Sequence, residues 1–538
     1  YQSKLKKYQA VDFDDLLYLP LQLFYQFPKI LSSYQKRWMF LLIDEYQDTN
    51  TAQHLLIKLL TAQHHNLFAV GDPDQSIYSW RGAKIDNILN FEREFPGAQV
   101  VTLDQNYRSC STILNAANTL IQHNPSRYKK NLWCTLGPGE KIGTYTADTE
   151  RAEAEFVVNK LMEKKKSLSD CVIFYRTNFQ SRALEDTLLK YRLPYVLVGG
   201  ISFYQRKEIK DILSMLRIVI GSNDLLAFAR TLNIPKKGFG ETTIDKFRRL
   251  ADNLSLDIID FCSAVIQKKI EMRLTPKQKE GLREYVETIL ALREMIQQKS
   301  PLQEIISGAV DRLHYIEYLK EDPETYEERR ENIIELFAKS TEWEEENVDK
   351  GLADFLEELI LKSTPEGKEK EKESVRLMTL HHGKGLEFST VFIIGLEEGL
   401  FPLVREGISL MDEEERRLFY VGMTRAKRQL YLTRARCRFL WGGTRLMEPS
   451  RFLNEIAPEY LQSLNPAIPL SSFQTETPSN FQNGDVVSHR DFGSGVIKKQ
   501  YQTSLGLTYD IYFFQDRTQR SLVAKYAKLI KSSDHVAH

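Results

Sequence analysis

The sequence predicts an α/β protein with parallel sheets, interrupted by a helical insertion and ending in a small β-barrel. Three observations predict it. Short apolar runs ending in Gly or acidic residues alternate with helical patterns, as strands and crossover helices do. From about residue 205 to 370 the chain is helical in pattern, charged and poor in strand runs, and then the α/β pattern resumes. From Gly484 to Ile530, apolar residues alternate between glycine turns.

The elements follow in order. Trp38 to Ile43 (WMFLLI) is an unbroken apolar run that ends in Asp44-Glu45. That is how a buried parallel strand delivers carboxylates to its C-terminal edge. Leu67 to Val70 repeats the pattern and ends in Gly71-Asp72; Cys171 to Tyr175 and Val391 to Gly395 are two more such strands. The α/β pattern resumes at Val375 (VRLMTL), so the helical stretch interrupts a second α/β domain. Glu366 to Glu373 (EGKEKEKE) reads as a solvated loop. Pro466 to Asn483, rich in Ser, Thr, Pro, Gln and Asn, reads as a flexible linker. No repeat of fixed period occurs.

Composition narrows the function. A chain of 538 residues exceeds what one hydrophobic core serves, and implies about three or four domains. Lys plus Arg and Asp plus Glu are 73 each, so no global charge recruits a polyanion. Nucleic acid would need local basic and aromatic surfaces. The five cysteines are scattered without CxxC or Cys/His ligand spacing, which argues against a zinc site or a disulfide framework. A reducing cytoplasm is the expected compartment. No apolar run reaches the roughly 18 residues of a membrane span, and no signal peptide is evident.

Five segments carry chemistry. In Leu41 to Asn50 (LLIDEYQDTN), a strand end presents Asp44 for a Mg²⁺ shell and Glu45 for an attacking water. Phosphoryl transfer to water needs both functions. In Ala69 to Ala83 (AVGDPDQSIYSWRGA), Gln75 can bond a terminal phosphate or its water. Tyr78 and Trp80 offer flat faces for bases, and Arg81 offers a cation for the backbone. The alternative is that both rings are core aromatics; their polar neighbours argue against it. In Leu103 to Ser109 (LDQNYRS), Tyr107 can stack on a nucleobase and Arg108 can pair with phosphate, against a plain surface salt bridge. In Val375 to Phe388 (VRLMTLHHGKGLEF), Thr379 and His381 sit where a strand end meets a ligand. A Gly-rich turn with Lys384 follows, and then Glu387, placed to hold a ribose hydroxyl. In Glu414 to Ala426 (EERRLFYVGMTRA), Arg425 stands past an apolar stretch as an arginine finger would.

In this order, DEYQDTN, GDPDQSIYSWRGA, QNYRS, HHGKGLEF and EEERRLFYVGMTRAK resemble the superfamily 1A DNA helicases of the UvrD, PcrA and Rep type. The resemblance runs from about residue 8 to 460. It implies two RecA-like P-loop NTPase domains with ATP and Mg²⁺ between them. Asp44 would hold the metal and Glu45 would activate water. Gln75, Arg108 and Arg425 would contact the γ-phosphate, Tyr107 would stack on adenine, and Glu387 would contact the sugar. Single-stranded DNA, up to its junction with duplex, would pass Tyr78, Trp80, Arg81, Thr379 and His381, moving 3′ to 5′ in a bacterial cytoplasm. The implied domains are the end of accessory domain 1B (1–35), domain 1A (36–103), and 2A in two parts (104–204 and 373–460) around 2B (205–372). A linker (461–483) and a Tudor-like barrel (484–538) follow. The barrel resembles the module of the PcrA and UvrD branch, which implies RNA polymerase or repair proteins as partners; a solvated barrel without a partner is the alternative.

The sequence departs from the family in one large respect. No G-x-x-x-x-G-K-[ST] phosphate loop occurs; Gly383-Lys384 and Gly367-Lys368 lack its first Gly and its Ser/Thr. The expectation is a chain that starts mid-protein, with that loop upstream of Tyr1, and that is inactive alone. Gly383 stands where many relatives carry Ser or Ala. Two rivals remain: a helicase–nuclease subunit of the RecB or AddA type, for which too little chain follows the last motor segment, and a non-catalytic DNA-binding protein.

Overall fold

The computed structural model describes residues 1–128, 130–163, 165–221, 224–362, 373–403, 411–440, 443–465, 481–489, 493–503, 506–514, 518–524, 527 and 529–531. Residues 366–372 of the charged stretch expected to be a loop, and most of the expected linker, lie outside these residues. The chain divides into two units, Tyr1–Asn465 and Pro466–His538.

In the first unit, β1 (Leu41–Ile43) and β2 (Leu67–Ala69) form a two-stranded parallel sheet, Leu41 opposite Leu67. The strand expected from Trp38 thus begins three residues later. It is not buried on both faces: Leu42 is 73% exposed. The expectation of full burial fails because only β2 pairs with β1 among the described residues.

The large sheet contains β3 (Ile142–Thr149), β4 (Cys171–Tyr175), β5 (Tyr195–Leu197), β6 (Val375–Thr379), β7 (Phe388–Ile393), β8 (Ala426–Leu440), β9 (Gly443–Leu446) and β10 (Leu461–Ser463). Its order is β10-β3-β8-β7-β4-β6-β5, parallel throughout, with β9 antiparallel on β8. β4 lies near the middle with all five residues buried, as its unbroken apolar run predicts. Val172 and Phe174 pack on one face with the helices Ser111–Ile121 and Met411–Met423. Cys171, Ile173 and Tyr175 pack on the other with Glu150–Met162 and Ser181–Lys190. β10 lies within the expected linker, and it joins the sheet because Leu461 pairs with Ile142.

β5 and β6 are sheet neighbours, yet the helices from Lys207 to Lys362 separate them in sequence. These helices enclose a core of their own, from Phe203 to Leu359, with Trp343 fully buried. The insertion leaves one sheet and returns to the adjacent strand of the same sheet. Among the described residues no helix is long and apolar enough to cross a membrane.

In the second unit, β11 (Val486–His489), β12 (Gly493–Thr503), β13 (Gly506–Phe513), β14 (Gln519–Val523) and β15 (Ile530–Lys531) form an antiparallel sheet in the order β14-β13-β12-β11-β15. Val487, Ile497, Tyr509, Ile511, Phe513 and Phe481 are its core.

Candidate nucleotide and nucleic-acid site

Because β1 and β2 run parallel and in register, the residues after them leave the sheet side by side. Asp44 is exposed, and its Oδ1 accepts the Glu45 N–H at 2.8 Å. Glu45 adopts φ 51°, a left-handed conformation that costs a non-glycine residue about 1 kcal/mol or more. It turns the chain into the short helical turn Tyr46–Asp48. The rest of DEYQDTN is scaffolding. Tyr46 is fully buried with its hydroxyl 3.0 Å from His54 Nδ1. Asn50 and Gln53 form a reciprocal capping box on the helix Thr51–Thr61.

Gln47 ties the two strand ends together. Its Nε2 donates to Glu45 Oε2 at 2.5 Å, and its Oε1 accepts the Asp72 N–H at 2.8 Å. Gln75 Nε2 donates to Asp72 Oδ2 at 2.8 Å.

Lys384, in the turn after β6, enters from the large sheet. Its nearly buried ammonium lies 3.1 Å from Glu45 Oε2, pairs more closely with Asp48 Oδ2, and donates to the Gln75 carbonyl at 3.1 Å. Burial raises the Asp48 pKa, and Asp48 Oδ1 is a buried acceptor without a hydrogen-bond partner. Gly383 beside Lys384 has a packing reason: a Cβ there would meet the Phe174 ring.

Arg425 follows the helix Met411–Met423. Its buried guanidinium donates to Gln75 Oε1 at 3.3 Å, to the Val421 carbonyl at 3.0 Å and to the Leu386 carbonyl at 3.3 Å. Burial, then neighbouring Arg108, lower its pKa to about 10, so it stays cationic at neutral pH. Arg108 Nε donates to Glu387 Oε2 at 2.7 Å, and Lys427 meets Glu387 Oε1 at 2.8 Å. Hydrogen bonds from Lys427 and Arg108 pull the Glu387 pKa down to about 2. The Tyr107 ring is 76% exposed, its hydroxyl donating to Gln105 at 2.9 Å. Glu45, Gln75 and Arg425 thus converge, while Arg108 and Glu387, given separate tasks from sequence, are partners of each other.

A second cluster lies alongside. Tyr78 donates its hydroxyl to the His381 carbonyl at 3.2 Å. The ring centroids of Tyr78 and Trp80 both lie near that of His381, at 6.3 and 6.2 Å. The Arg81 guanidinium covers Trp80 at 4.5 Å from its centroid. Trp80 is 62% exposed, so it is no core aromatic; Tyr78 is half-buried and packs partly on the sheet core. Burial, then Arg176 and His382, push the His381 pKa to about 3, which keeps its imidazole neutral. Thr379 is buried, its hydroxyl 2.8 Å from His382 Nδ1.

Among the described residues no cluster of three metal-ligating side chains occurs. A lone exposed carboxylate such as Asp44 suits Mg²⁺, which keeps waters and takes substrate phosphates as ligands. Sequence reasoning assigned no task to Gln47, Asp48, Asp72 or Lys384. Lys384 in a glycine-flanked turn after a strand was the available signal; its partners were not.

Comparison with known proteins agrees with this architecture. The family model described as UvrD/REP helicase N-terminal domain matches residues 1–96, and UvrD-like helicase C-terminal domain matches 101–436. The chain is 40% identical to "ATP-dependent DNA helicase PcrA" of Bacillus subtilis (strain 168), covering 99% of this chain and 76% of that one. It is 39% identical to the protein of the same name in Staphylococcus aureus (strain NCTC 8325 / PS 47), and 38% in Staphylococcus epidermidis (strain ATCC 12228 / FDA PCI 1200), with the same coverage. With both family models matched in order and such identity over nearly its whole length, the chain belongs to the UvrD-like family of superfamily 1 DNA helicases.

Proposed function

We propose that this chain works in an ATP-dependent motor that moves 3′ to 5′ on single-stranded DNA in repair, replication or recombination. The observation that carries it is the convergence of Glu45 and Gln75, from the β1–β2 sheet, with Lys384 and Arg425, from the large sheet. One cleft therefore holds a water-orienting carboxylate, an amide and two cations from separately built sheets.

When bound, the Mg²⁺ complex of ATP supplies the phosphoanhydride to be cleaved. Asp44 would hold the metal through its exposed carboxylate, whose Oδ1 already accepts the Glu45 N–H. Glu45 orients water, its carboxylate aimed by Gln47 and Lys384. Gln75 and Arg425 already touch and face the terminal phosphate as a unit. Arg108 reaches the phosphates by exchanging Glu387 for them, which frees Glu387 for the ribose. Tyr107 presents its open ring to adenine. Tyr78, Trp80, Arg81 and His381 form the track for bases and backbone, with Thr379 steadying the turn below them. The same resemblance supports RNA polymerase or repair proteins as partners of the antiparallel sheet at 486–531.

The phosphate-cradling backbone is not supplied by this sequence, since no G-x-x-x-x-G-K-[ST] occurs. Alone, the 538-residue chain is expected to show no appreciable DNA-stimulated ATPase. Joined in a chimera to a segment that carries a G-x-x-x-x-G-K-[ST] phosphate loop, it is expected to hydrolyse ATP and to displace a strand only from a 3′-tailed duplex. In that chimera Glu45→Gln should lower turnover by about 100-fold or more while oligonucleotide affinity persists. Equal displacement from 5′ tails would sink the polarity, and undiminished turnover would sink the water-activating role.

A further inference from the structure

The helix Met411–Met423 and the two residues after it run beside the segment Gln75–Ser79 and hold it at three successive places. Arg425 Nη2 donates to Gln75 Oε1 at 3.3 Å. Arg417 Nε donates to the Ser76 carbonyl at 2.9 Å. Glu414 takes the Ser79 N–H on Oε1 at 3.1 Å and the Ser79 hydroxyl on Oε2. At about 3.6 residues per turn, positions 414 and 417 lie one turn apart on one helix face, and Arg425 stands two residues past the helix end. The contacts come in opposite order along the two segments, which therefore run antiparallel.

Each contact engages a charged group, and such hydrogen bonds are about twice as strong as neutral ones. Arg417 is buried, and Ile77 between the contacts is fully buried in the sheet core. The helix also lies so close to the turn Leu380–Gly383 that a Cβ at Gly422 would collide with Leu380. Trp80 follows Ser79 directly and remains largely exposed. One end of this pairing therefore meets the phosphate-facing amide, and the other stops one residue short of the exposed ring.

We propose that Glu414 and Arg417 are positioning residues. They splint the segment 75–79 to the helix, so that a shift of Arg425 and Gln75 displaces Trp80 by the same motion. The splint rests on the reading of Trp80 as a base-stacking residue only for its DNA consequence; its geometry stands apart from it.

The test uses the full chain labelled with 5-fluorotryptophan, with Trp80→Phe identifying the Trp80 fluorine line. Binding of a fluorescent oligothymidylate is measured in parallel. Glu414→Ala is expected to shift or split the Trp80 line, to leave the Trp343 line in place, and to weaken oligothymidylate binding about 10-fold. Ser79→Ala should weaken it less, and the double variant no more than Glu414→Ala alone, because both act through one contact. Arg417→Lys keeps the charge but shortens the reach to the Ser76 carbonyl. It should move the Trp80 line too, and it serves if Glu414→Ala misfolds. A Trp80 line unmoved in every folded variant overturns the splint, as do additive losses in the double variant. A Trp80 line that moves in a chain that never binds oligothymidylate supports the splint and removes the DNA reading instead.

Discussion

Glu387 shows how one side chain is set by its neighbours. Arg108 and Lys427 each meet one of its carboxylate oxygens and pull its pKa from the usual 4.5 down to about 2. The folded form prefers the ionised carboxylate. Its contribution to stability is therefore complete above the ordinary carboxylate range and is lost as pH falls toward about 2. Glu387 is largely open to solvent, so that contribution is small. A ¹³C titration of the Glu387 carboxyl should find a midpoint near 2, and Lys427→Ala should raise it; a wild-type midpoint at the ordinary value would refute the clamp. At this scale the sequence was partly readable. Asp44-Glu45 could be placed because a strand end is a local feature. Lys384 could not be assigned, because Glu45, Asp48 and Gln75 lie more than 300 residues away and only the fold brings them to it.

Between elements, the clearest case is the seam where the helical insertion meets the large sheet. Arg182, on the helix Ser181–Lys190, is buried. It pairs with Glu335 and Glu342 on the helix Tyr326–Glu346, the latter at 2.9 Å, and lies 3.6 Å from Asp186. Removing one partner of a buried pair strands the other charge, at about 3–5 kcal/mol. Arg182→Met should cost about that much in urea unfolding, and Arg182→Met with Glu335→Met markedly less. Additive costs would mean that the two do not act as a pair. Such seams are hidden in sequence because their charges resemble solvated ones. β8 was hidden for the same reason: its alternation is obscured by basic residues in AKRQLYLTRARCRFL, of which Arg438 is buried against Glu153 and Glu397. The unbroken CVIFY run had no such mask, and its strand bounds match the expected ones.

Over the whole molecule, the two units have separate cores. The first has its apolar clusters on the large sheet and in the helical insertion; the second has its own around Tyr509 and Ile511. Deleting 466–538 should therefore leave oligothymidylate affinity within about 2-fold and leave the urea midpoint of the remainder in place. A large loss of either would show that the second unit supports the first. The α/β class, the helical insertion and the antiparallel sheet were legible because each rests on periodicity summed over many residues. The extent of each sheet was not, since strand order is fixed by contacts far apart along the chain.

The short β1–β2 sheet has a consequence for handling the protein. Leu42 and Phe68 face solvent, Phe40 beside them does too, and each strand has one edge that no described strand covers. Open amide edges beside apolar rings are a template for intermolecular strand pairing. The chain should associate with rising concentration, and light scattering at pH 7 should grow steeply with it, because a net charge of zero sets up no repulsion to oppose contact. Leu42→Lys with Phe68→Lys should hold it monodisperse without touching Asp44 or Glu45.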